Sequence, residues 1–337
     1  MSVTKIVDPE KRPTMRVIAE KAGVSSATVS MAMRNDLRIS PSTRRKVHRI
    51  ARKLGYHPDP EVAKLMLHLR TKHKPKFQSI IAAVTTLAEG MEPAYAVALR
   101  EGAQRSAEAL GYGFSLFRVE GSEKRHTSLQ RTLRSRGVEG VLLLPVKEAI
   151  SFRRFIEWTD FSVVAATYGV LAPDIHRVVP DQFGNMILIC RNLVRLGCRR
   201  IGLVTWRSTG PVVNNRFAAA VMWQNTMGGT DFVRAFIYEM DVCVGLRSWF
   251  AEERPDGLIV GTEKDARIIA TELDLRGRSK IPIAITEWTN QTPFSGIDQR
   301  AGEVGAVATA LLHSLIYRGE KGIPVVPNVT MVKGQWM

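Results

Sequence analysis

The sequence predicts two fold classes in one chain: a small all-α unit at the N-terminus, then an α/β body of two parallel-sheet lobes. Three observations carry this reading. Residues 14–56 hold three short segments with apolar residues at helical spacing and helix-start and helix-stop residues at their ends. From Gln78 onward, apolar strand-like runs alternate with amphipathic helical runs, and the alternation restarts near Asn185. Charge divides the chain at the same place, since +12 of the net +16 lies in residues 1–76 and only +4 in the rest. Strand-helix alternation implies parallel sheets with helices on both faces, and two such runs imply two lobes. A basic charge concentrated on a helical framework, joined to a near-neutral body, marks an end that meets nucleic acid.

The first helix starts at Thr14, a residue suited to cap it, and carries Ile18, Ala19 and Ala22 on one face. Gly23 supplies the left-handed turn that ends it. Ser25 caps a second helix, Ser26 to Met33, in which Val29 and Ala32 face inward while Ser26, Ala27, Thr28 and Ser30 face out. This is a helix-turn-helix, a geometry that lays the second helix in the major groove of DNA. The third helix has Ser40 as N-cap and Pro41 at its first position. Val47, Ile50, Ala51 and Leu54 form its apolar face, and Gly55 is its stop. Arg44, Arg45, Lys46, Arg49, Arg52 and Lys53 cover the rest of its surface.

The run AEKAGVSSATVS, followed by ISPSTRRKVHRIARKLGYHP, resembles the DNA-binding headpiece of the lactose-repressor and galactose-repressor family of bacterial transcription regulators. The match is almost gapless from Thr14 to Pro58 and implies a headpiece over residues 1–58. Carried over position by position, it places Ser26, Ala27 and Met31 at base edges. It gives phosphate contacts to Thr14, Ser25, Thr28, Ser30, Arg34, Arg38, Ser40 and Thr43. The physical reading agrees, because hydroxyls and helix-end amides fix register on phosphates while an exposed helix face reads bases. That base-reading face is chemically poor: serine bonds either kind of edge and alanine touches only a thymine methyl. Specificity is therefore expected to lean on DNA shape and bending.

Residues 59–76 form the joint. Asp59, Pro60 and Glu61 would start a short helix well. In the resembled family this joint holds a hinge helix that wedges a leucine into the minor groove, here Leu65, or Met66 after a one-residue shift. Pro60 and Glu61 depart from that pattern, and a carboxylate near phosphate must face away; a plain linker is the alternative.

In the body, SIIAAVTTL reads as a buried strand, PAYAVALREGAQRSAEALG as a helix, FSLFRVE as a strand, HTSLQRTLRSRG as a helix and GVLLLPV as a strand. A helix near Phe152 to Trp158 and a strand VVAAT follow. The second run is NMILICRNLVRLG, RIGLVTW, NRFAAAVMWQNTM, FVRAFIY, a helix before Arg254, GLIVG, DARIIATELDL and PIAIT. The tail, FSGIDQRAGEVGAVATALLHSLIYRG then PVVPNVTMVKGQW, resembles the final crossover of the same family. The resemblance implies a periplasmic-binding-protein-like (type I) fold with a discontinuous first lobe, residues 77–170 and 295–334, and a second lobe, residues 171–294. It also implies a small effector, such as a sugar or purine, held between the lobes. Ligands in such folds sit at the carboxyl ends of strands, and loops there offer Thr85, Thr86, Trp206, Asn214, Arg216, Glu287, Trp288 and Asn290. Polar groups beside an aromatic face suit a sugar. Glu287 stands roughly where the family has an effector-binding aspartate, and Asn214 or Arg216 where it has an arginine. GTEKD, residues 261–265, replaces the usual Asn-Asp pair and leaves the effector class open.

No apolar run approaches the roughly 20 residues that span a bilayer, and MSVTKIVDPEKRPT lacks the apolar core of a secretory signal. Cys190, Cys198 and Cys243 have no metal-ligand spacing, so reduced, buried thiols in the cytoplasm are expected. Neither a phosphate-binding GxxxxGK[ST] loop nor a nucleophile elbow is present, and four of seven histidines precede residue 74. The expected protein is therefore not an enzyme and needs no cofactor. It is a homodimeric regulator, by family habit a repressor, that binds a pseudo-palindromic duplex under the control of a small effector. The alternatives are a two-lobed binding protein with an incidental head and a regulator that needs no effector. Arg34→Ala is expected to weaken binding to every duplex and flatten the salt dependence, whereas Ser26→Ala shifts base preference modestly. Affinity titrations at several salt concentrations check both; an unchanged salt slope for Arg34→Ala would mean that the recognition helix is oriented differently.

Overall fold

α1 (Met15–Ala22), α2 (Ser26–Met33) and α3 (Pro41–Lys53) pack around Ile18, Ala19, Ala22, Val29, Ala32, Val47 and Ala51, all buried. The computed structural model describes residues 14–33, 36, 38–56, 79–119, 126–227, 231–275 and 281–337. Arg34 and the joint at 59–76, with Leu65 and Met66, lie outside the described residues. Gly23 takes φ +66°, and the Val24 amide reaches back to the Ala19 carbonyl, closing α1. The stop of α3 is a Schellman arrangement: Gly55 has φ +65°, its amide donates to Arg52 O, and the Tyr56 amide donates to Ala51 O. Thr14 differs from expectation. It stands at the N-cap with extended backbone, but its side chain makes no capping hydrogen bond, and its carbonyl alone accepts the amides of Val17 and Ile18.

The first lobe is built on a six-stranded parallel sheet in the order β14-β7-β5-β3-β1-β2. The strands are β1 (Ile80–Thr85), β2 (Gly113–Arg118), β3 (Val138–Leu143), β5 (Ser162–Ala165), β7 (Arg177–Pro180) and β14 (Val329–Val332). β4 (Ile150–Ser151) and β6 (Val170–Ala172) form a separate pair. α4 (Ala94–Ala109) and α11 (Ala301–Arg318) cover one face through Leu99, Ala103, Ala107, Val304, Ala308 and Leu312. α5 (His126–Ser135) and the segment around Phe152, Phe155, Trp158 and Phe161 cover the other. The helix expected over Phe152 to Trp158 is absent. Those residues make turns and a short 3-10 helix, Trp158–Asp160, because the Phe152 amide donates to Ala172 O (2.6 Å) and the Glu157 amide to Gln130 Oε1 (2.8 Å), partners outside any helix ladder.

The second lobe is a seven-stranded sheet ordered β10-β8-β11-β12-β13-β15, with β9 beside β8. Its strands are β8 (Arg200–Trp206), β9 (Asp231–Phe232), β10 (Phe236–Tyr238), β11 (Gly257–Val260), β12 (Ile283–Ile285), β13 (Ser295–Asp298) and β15 (Gln335–Trp336). α6 (Gln182–Arg195) and α8 (Arg216–Met227) cover one face, and α9 (Leu246–Glu253) and α10 (Glu263–Glu272) the other. The single strand expected over 232–238 is split into β9 and β10. Between them the exposed Arg234 pairs with Glu252 and Glu253, and its carbonyl accepts the indole N–H of Trp249. Cys190 and Cys198 are buried free thiols and Cys243 is half-buried; burial pushes Cys190 up to about 12 and Cys198 to about 11.

Sheet membership moves the lobe boundaries away from those expected at 170 and 295. β7 belongs to the first sheet, so the chain first crosses at Asp181. β13 belongs to the second, so it returns after Asp298, and it crosses again between β14 and β15. Strand-like runs on either side of a crossing look alike in sequence, and only pairing assigns them. The crossings are tied together by buried amides. Gln182 Nε2 donates to Gln299 Oε1 (2.9 Å), Gln299 Nε2 donates to Thr286 O (2.7 Å), and the Gly334 amide donates to Asn185 Oδ1 (3.0 Å).

α4 and α11 touch backbone to backbone. A Cβ on Gly305 would lie 2.1 Å from Leu99 O and 2.7 Å from Ala103 N. Thr309 Oγ1 donates to Ala103 O (3.3 Å) across the same seam. Gly305→Ala is expected to lower body stability by about 1–3 kcal/mol, because the overpacking cost outweighs the roughly 1 kcal/mol that alanine gains in a helix. Urea unfolding followed by circular dichroism reads this; an unshifted midpoint would mean that the helices part without cost.

Candidate nucleic-acid interface and ligand cleft

The head presents one polar face. Ser25 Oγ accepts the Thr28 amide (3.1 Å) and meets Thr28 Oγ1 (2.8 Å), so Ser25 caps α2 as its position in the sequence indicates. With Val29 and Ala32 fully buried, Ser26 and Ala27 are exposed, and Thr28, Ser30 and Met31 are half-buried beside them. α2 carries no charged side chain in its first or last turn, so its outer face is shaped by small groups alone. Ser40 caps α3 by accepting the Thr43 amide (3.2 Å), and the two hydroxyls lie 2.8 Å apart. Arg38 is tied to Asp36 by a bidentate pair, with Nη2 2.6 Å from Oδ2, which fixes the loop before α3 while the guanidinium stays exposed. Thr14 is exposed at the start of α1. The head therefore exposes hydroxyls, the capped N-termini of α2 and α3, and Arg45, Lys46, Arg49, Arg52 and Lys53 of α3.

The two lobes meet at a second site, between loops at the carboxyl ends of their strands. The guanidinium of Arg216, the first residue of α8, stacks over the ring of Tyr168, in the loop after β5, at 4.5 Å. Arg216 Nε is buried and has no hydrogen-bond partner. Arg177 holds the Tyr168 loop by donating to Thr167 O (3.2 Å) and Val170 O (2.7 Å). Burial raises the Tyr168 hydroxyl above its ordinary range, against the opposing charge of Arg216. Tyr95, in the first turn of α4, is close enough to Glu287 for the carboxylate to act on its phenol; burial, then Glu287, then Tyr168 drive that phenol far up. Glu287 follows β12, its amide donates to Gly261 O (3.1 Å), and desolvation with the charge of Asp265 pushes its carboxyl up to about 7. Asp265 Oδ2 in turn accepts from Tyr238 Oη (2.9 Å) and Thr262 Oγ1 (2.9 Å).

Of the residues singled out in the sequence, Arg216 and Glu287 reach this interface. Trp206 is 38% exposed and donates its indole N–H to Glu239 O (2.6 Å). Thr86 accepts the Lys147 amide (2.9 Å), and Thr85 is buried with its hydroxyl on Pro145 O (2.7 Å), so both brace the loop after β1. Trp288 packs against the second lobe's core, while Asn214 is exposed in a left-handed turn with φ +54° and Asn290 is exposed. Tyr95, Tyr168, Tyr238 and the Asp265 carboxylate were not singled out. Tyr168 lies just past a strand and Tyr238 at the end of one, while Tyr95 and Asp265 stand in the first turns of helices, positions that a lone tyrosine or carboxylate does not advertise.

A helix-turn-helix head on a two-lobed α/β body with an aromatic, charged cleft defines the class. Residues 14–59 match the model for bacterial regulatory proteins, lacI family. The ribose operon repressor of Escherichia coli (strain K12) is 32% identical over 131 residues, 39% of this chain and 36% of that protein. The regulator CelR of Thermobifida fusca is 27% identical over 202 residues, 59% of this chain and 57% of that protein. The chain thus aligns with only about a third to just over half of these relatives. Among solved structures, a lac repressor dimer bound to operator and the anti-inducer ONPF is similar over 97% of this chain and 98% of that one, at TM-score 0.60 and 19% identity. A CelR–cellobiose complex is similar over the same shares at TM-score 0.57 and 18% identity. The match to the lacI family model is thus confined to the head, and the body's likeness to these solved structures is one of fold.

The raised carboxyl of Glu287 has a stability consequence. It titrates near 7 folded against an ordinary 4.5, so protonation favours folding. That contribution is complete below about 4.5 and is lost as pH rises from 4.5 to 7. Glu287→Gln is expected to be more stable than the parent at pH 8, by on the order of 2–3 kcal/mol, with the gap closing towards pH 4.5. Urea unfolding of both proteins at pH 5 and pH 8 checks this; a gap independent of pH would contradict it.

Proposed function

We propose that this chain is a sequence-specific DNA-binding transcription regulator, acting as a repressor, whose affinity for DNA is set by a small sugar-like effector held between the lobes. The observation that carries the reading is α2: a capped helix whose outer face is uncharged and small enough to enter a major groove, flanked by the basic surface of α3. Ser26, Ala27 and Met31 would meet base edges. Thr14, Ser25, Thr28, Ser30, Arg34, Arg38, Ser40 and Thr43 would hold phosphates, and Leu65 would enter the minor groove. In the cleft, Arg216 and Glu287 would supply the effector's polar contacts, with Thr86, Trp206, Asn214 and Trp288 on the surrounding loops rather than at the contact between the lobes. The relatives are named as regulators, one for the ribose operon, and one solved neighbour is a complex with cellobiose; both support a sugar.

The working unit is a homodimer on a pseudo-palindromic site, with residues 1–58 as headpiece and 59–76 as hinge. It acts in the cytoplasm, without catalysis or cofactor. Among the described residues no group of three His, Cys, Asp or Glu could hold a metal, and no helix is long and apolar enough to cross a membrane.

Selection of duplexes from a random pool with the full chain is expected to enrich one two-fold symmetric sequence. It should bind at least a thousandfold tighter than random competitor at physiological salt, and deleting residues 1–58 should abolish this. Equal binding of selected and random duplexes would overturn the proposal.

A further inference from the structure

One acid organises the connection between α2 and α3. The Asp36 amide donates to Met31 O (3.0 Å), its carbonyl accepts the Ile39 amide (3.1 Å), and its Oδ1 accepts the Arg38 amide (3.0 Å). The same carboxylate holds the Arg38 guanidinium side-on, with Nε 3.0 Å from Oδ1 and Nη2 2.6 Å from Oδ2. The Arg38 side chain is nonetheless 78% exposed, against 21% for Asp36. Arg45, by contrast, donates Nε to the neutral Pro41 O (3.3 Å), a partner that cancels no charge.

An exposed ion pair adds little to stability, so the consequence of this fork lies in what it does to Arg38. A guanidinium carries five N–H donors in one plane. The fork uses Nε and one Nη2 hydrogen, and it leaves the Nη1–Nη2 edge, which can grip two phosphate oxygens at once. Beyond a Debye length, about 8 Å at physiological salt, the pair acts as a dipole and attracts phosphate weakly. Loose binding to any duplex is carried by net cationic charge and counterion release, whereas a docked complex also uses oriented contacts. Arg38 paired with Asp36 adds little to the first and a directed contact to the second. Resting on the DNA-binding reading above, we infer that Asp36 is a positioning residue for duplex selection. It aims Arg38 at a phosphate of the docked duplex and cancels its charge towards random DNA.

The test measures affinity of the full chain for the selected duplex and for random duplex across a range of salt. Asp36→Asn keeps an oxygen for the Arg38 amide but removes the charge. It is expected to bind random duplex roughly fivefold more tightly at about 0.15 M salt, with the salt exponent steeper by about 0.9, one further counterion released. Binding to the selected duplex should change by no more than about threefold, because the gain in charge is offset by the lost alignment. Asp36→Asn/Arg38→Ala removes the pair together. It should hold random duplex within about twofold of the parent and selected duplex roughly tenfold more weakly, the loss of one charge-assisted contact. Glu20→Gln, which removes an exposed acid of α1, should leave the ratio of the two affinities unchanged. Thermal melts confirm that each variant folds. Equal gains on both duplexes in Asp36→Asn, or an unchanged salt exponent on random duplex, would overturn the inference and leave the regulator reading intact. A double variant that keeps the parent's affinity for the selected duplex overturns it as well. A parent that does not select one duplex over random overturns both readings.

Discussion

The structure depends on three crossings between two sheets and on the buried amides that hold them. Gln182, Gln299 and Asn185 each sit where the chain passes from one lobe to the other, and each spends its side chain on another crossing or on the strand end beside it. A buried amide that loses its partner pays the full desolvation cost, so these bonds resist loosening far more than their net strength suggests. Gln299 is the central member. It joins the first crossing, through Gln182, to Thr286 at the end of β12, one residue before Glu287. Any rotation of one lobe against the other is therefore felt at the carboxylate that lines the cleft.

The first lobe is the rigid partner in that arrangement. α4 and α11 approach until Gly102 and Gly305 face backbone, and the Ser106 and Thr309 hydroxyls donate across the seam to Ala306 and Ala103 carbonyls. Backbone contact leaves no side-chain layer in which strain could be absorbed, so α11 moves with α4 or not at all. Tyr168, braced by Arg177, reports the first lobe's position to Arg216 of the second. That aromatic–cation contact is a means by which closure can be sensed.

Much of this was legible in sequence where a local rule decides the outcome. The caps at Ser25 and Ser40, the turn at Gly23, the stop at Gly55 and the alternation of sheets and helices depend on neighbours within a few residues, and the structure has them there. Failures lie where distant pairing decides. Phe152, Phe155 and Trp158 have helix-like spacing, but the backbone amides of Phe152 and Glu157 are taken by Ala172 and Gln130, far off in sequence. The lobe boundaries turn on which sheet β7 and β13 join. At the cleft, Arg216 and Glu287 were visible because a charge beside a strand end is conspicuous. Tyr95 and Tyr168 were not, since a single tyrosine reads equally well as core. Thr86 and Trp288 were visible for the same positional reason as Arg216, yet their polar or apolar groups are already engaged by the scaffold.

A ligand between the lobes can act on a distant head only by binding two arrangements of the lobes unequally, and its leverage is limited to that difference. The cleft has groups suited to such discrimination. Arg216 Nε lacks a partner, and burial with the charge of Asp265 pushes the Glu287 carboxyl up to about 7, so part of the free energy of binding is reserved for groups that the protein itself leaves unsatisfied. Both belong to the second lobe, but Arg216 is stacked on Tyr168 of the first, so a molecule that engages Arg216 and also reaches Tyr168 bridges the lobes. Such a bridge favours one separation of the lobes over others. A molecule that touches only one lobe binds without preferring either arrangement and leaves the head as it was.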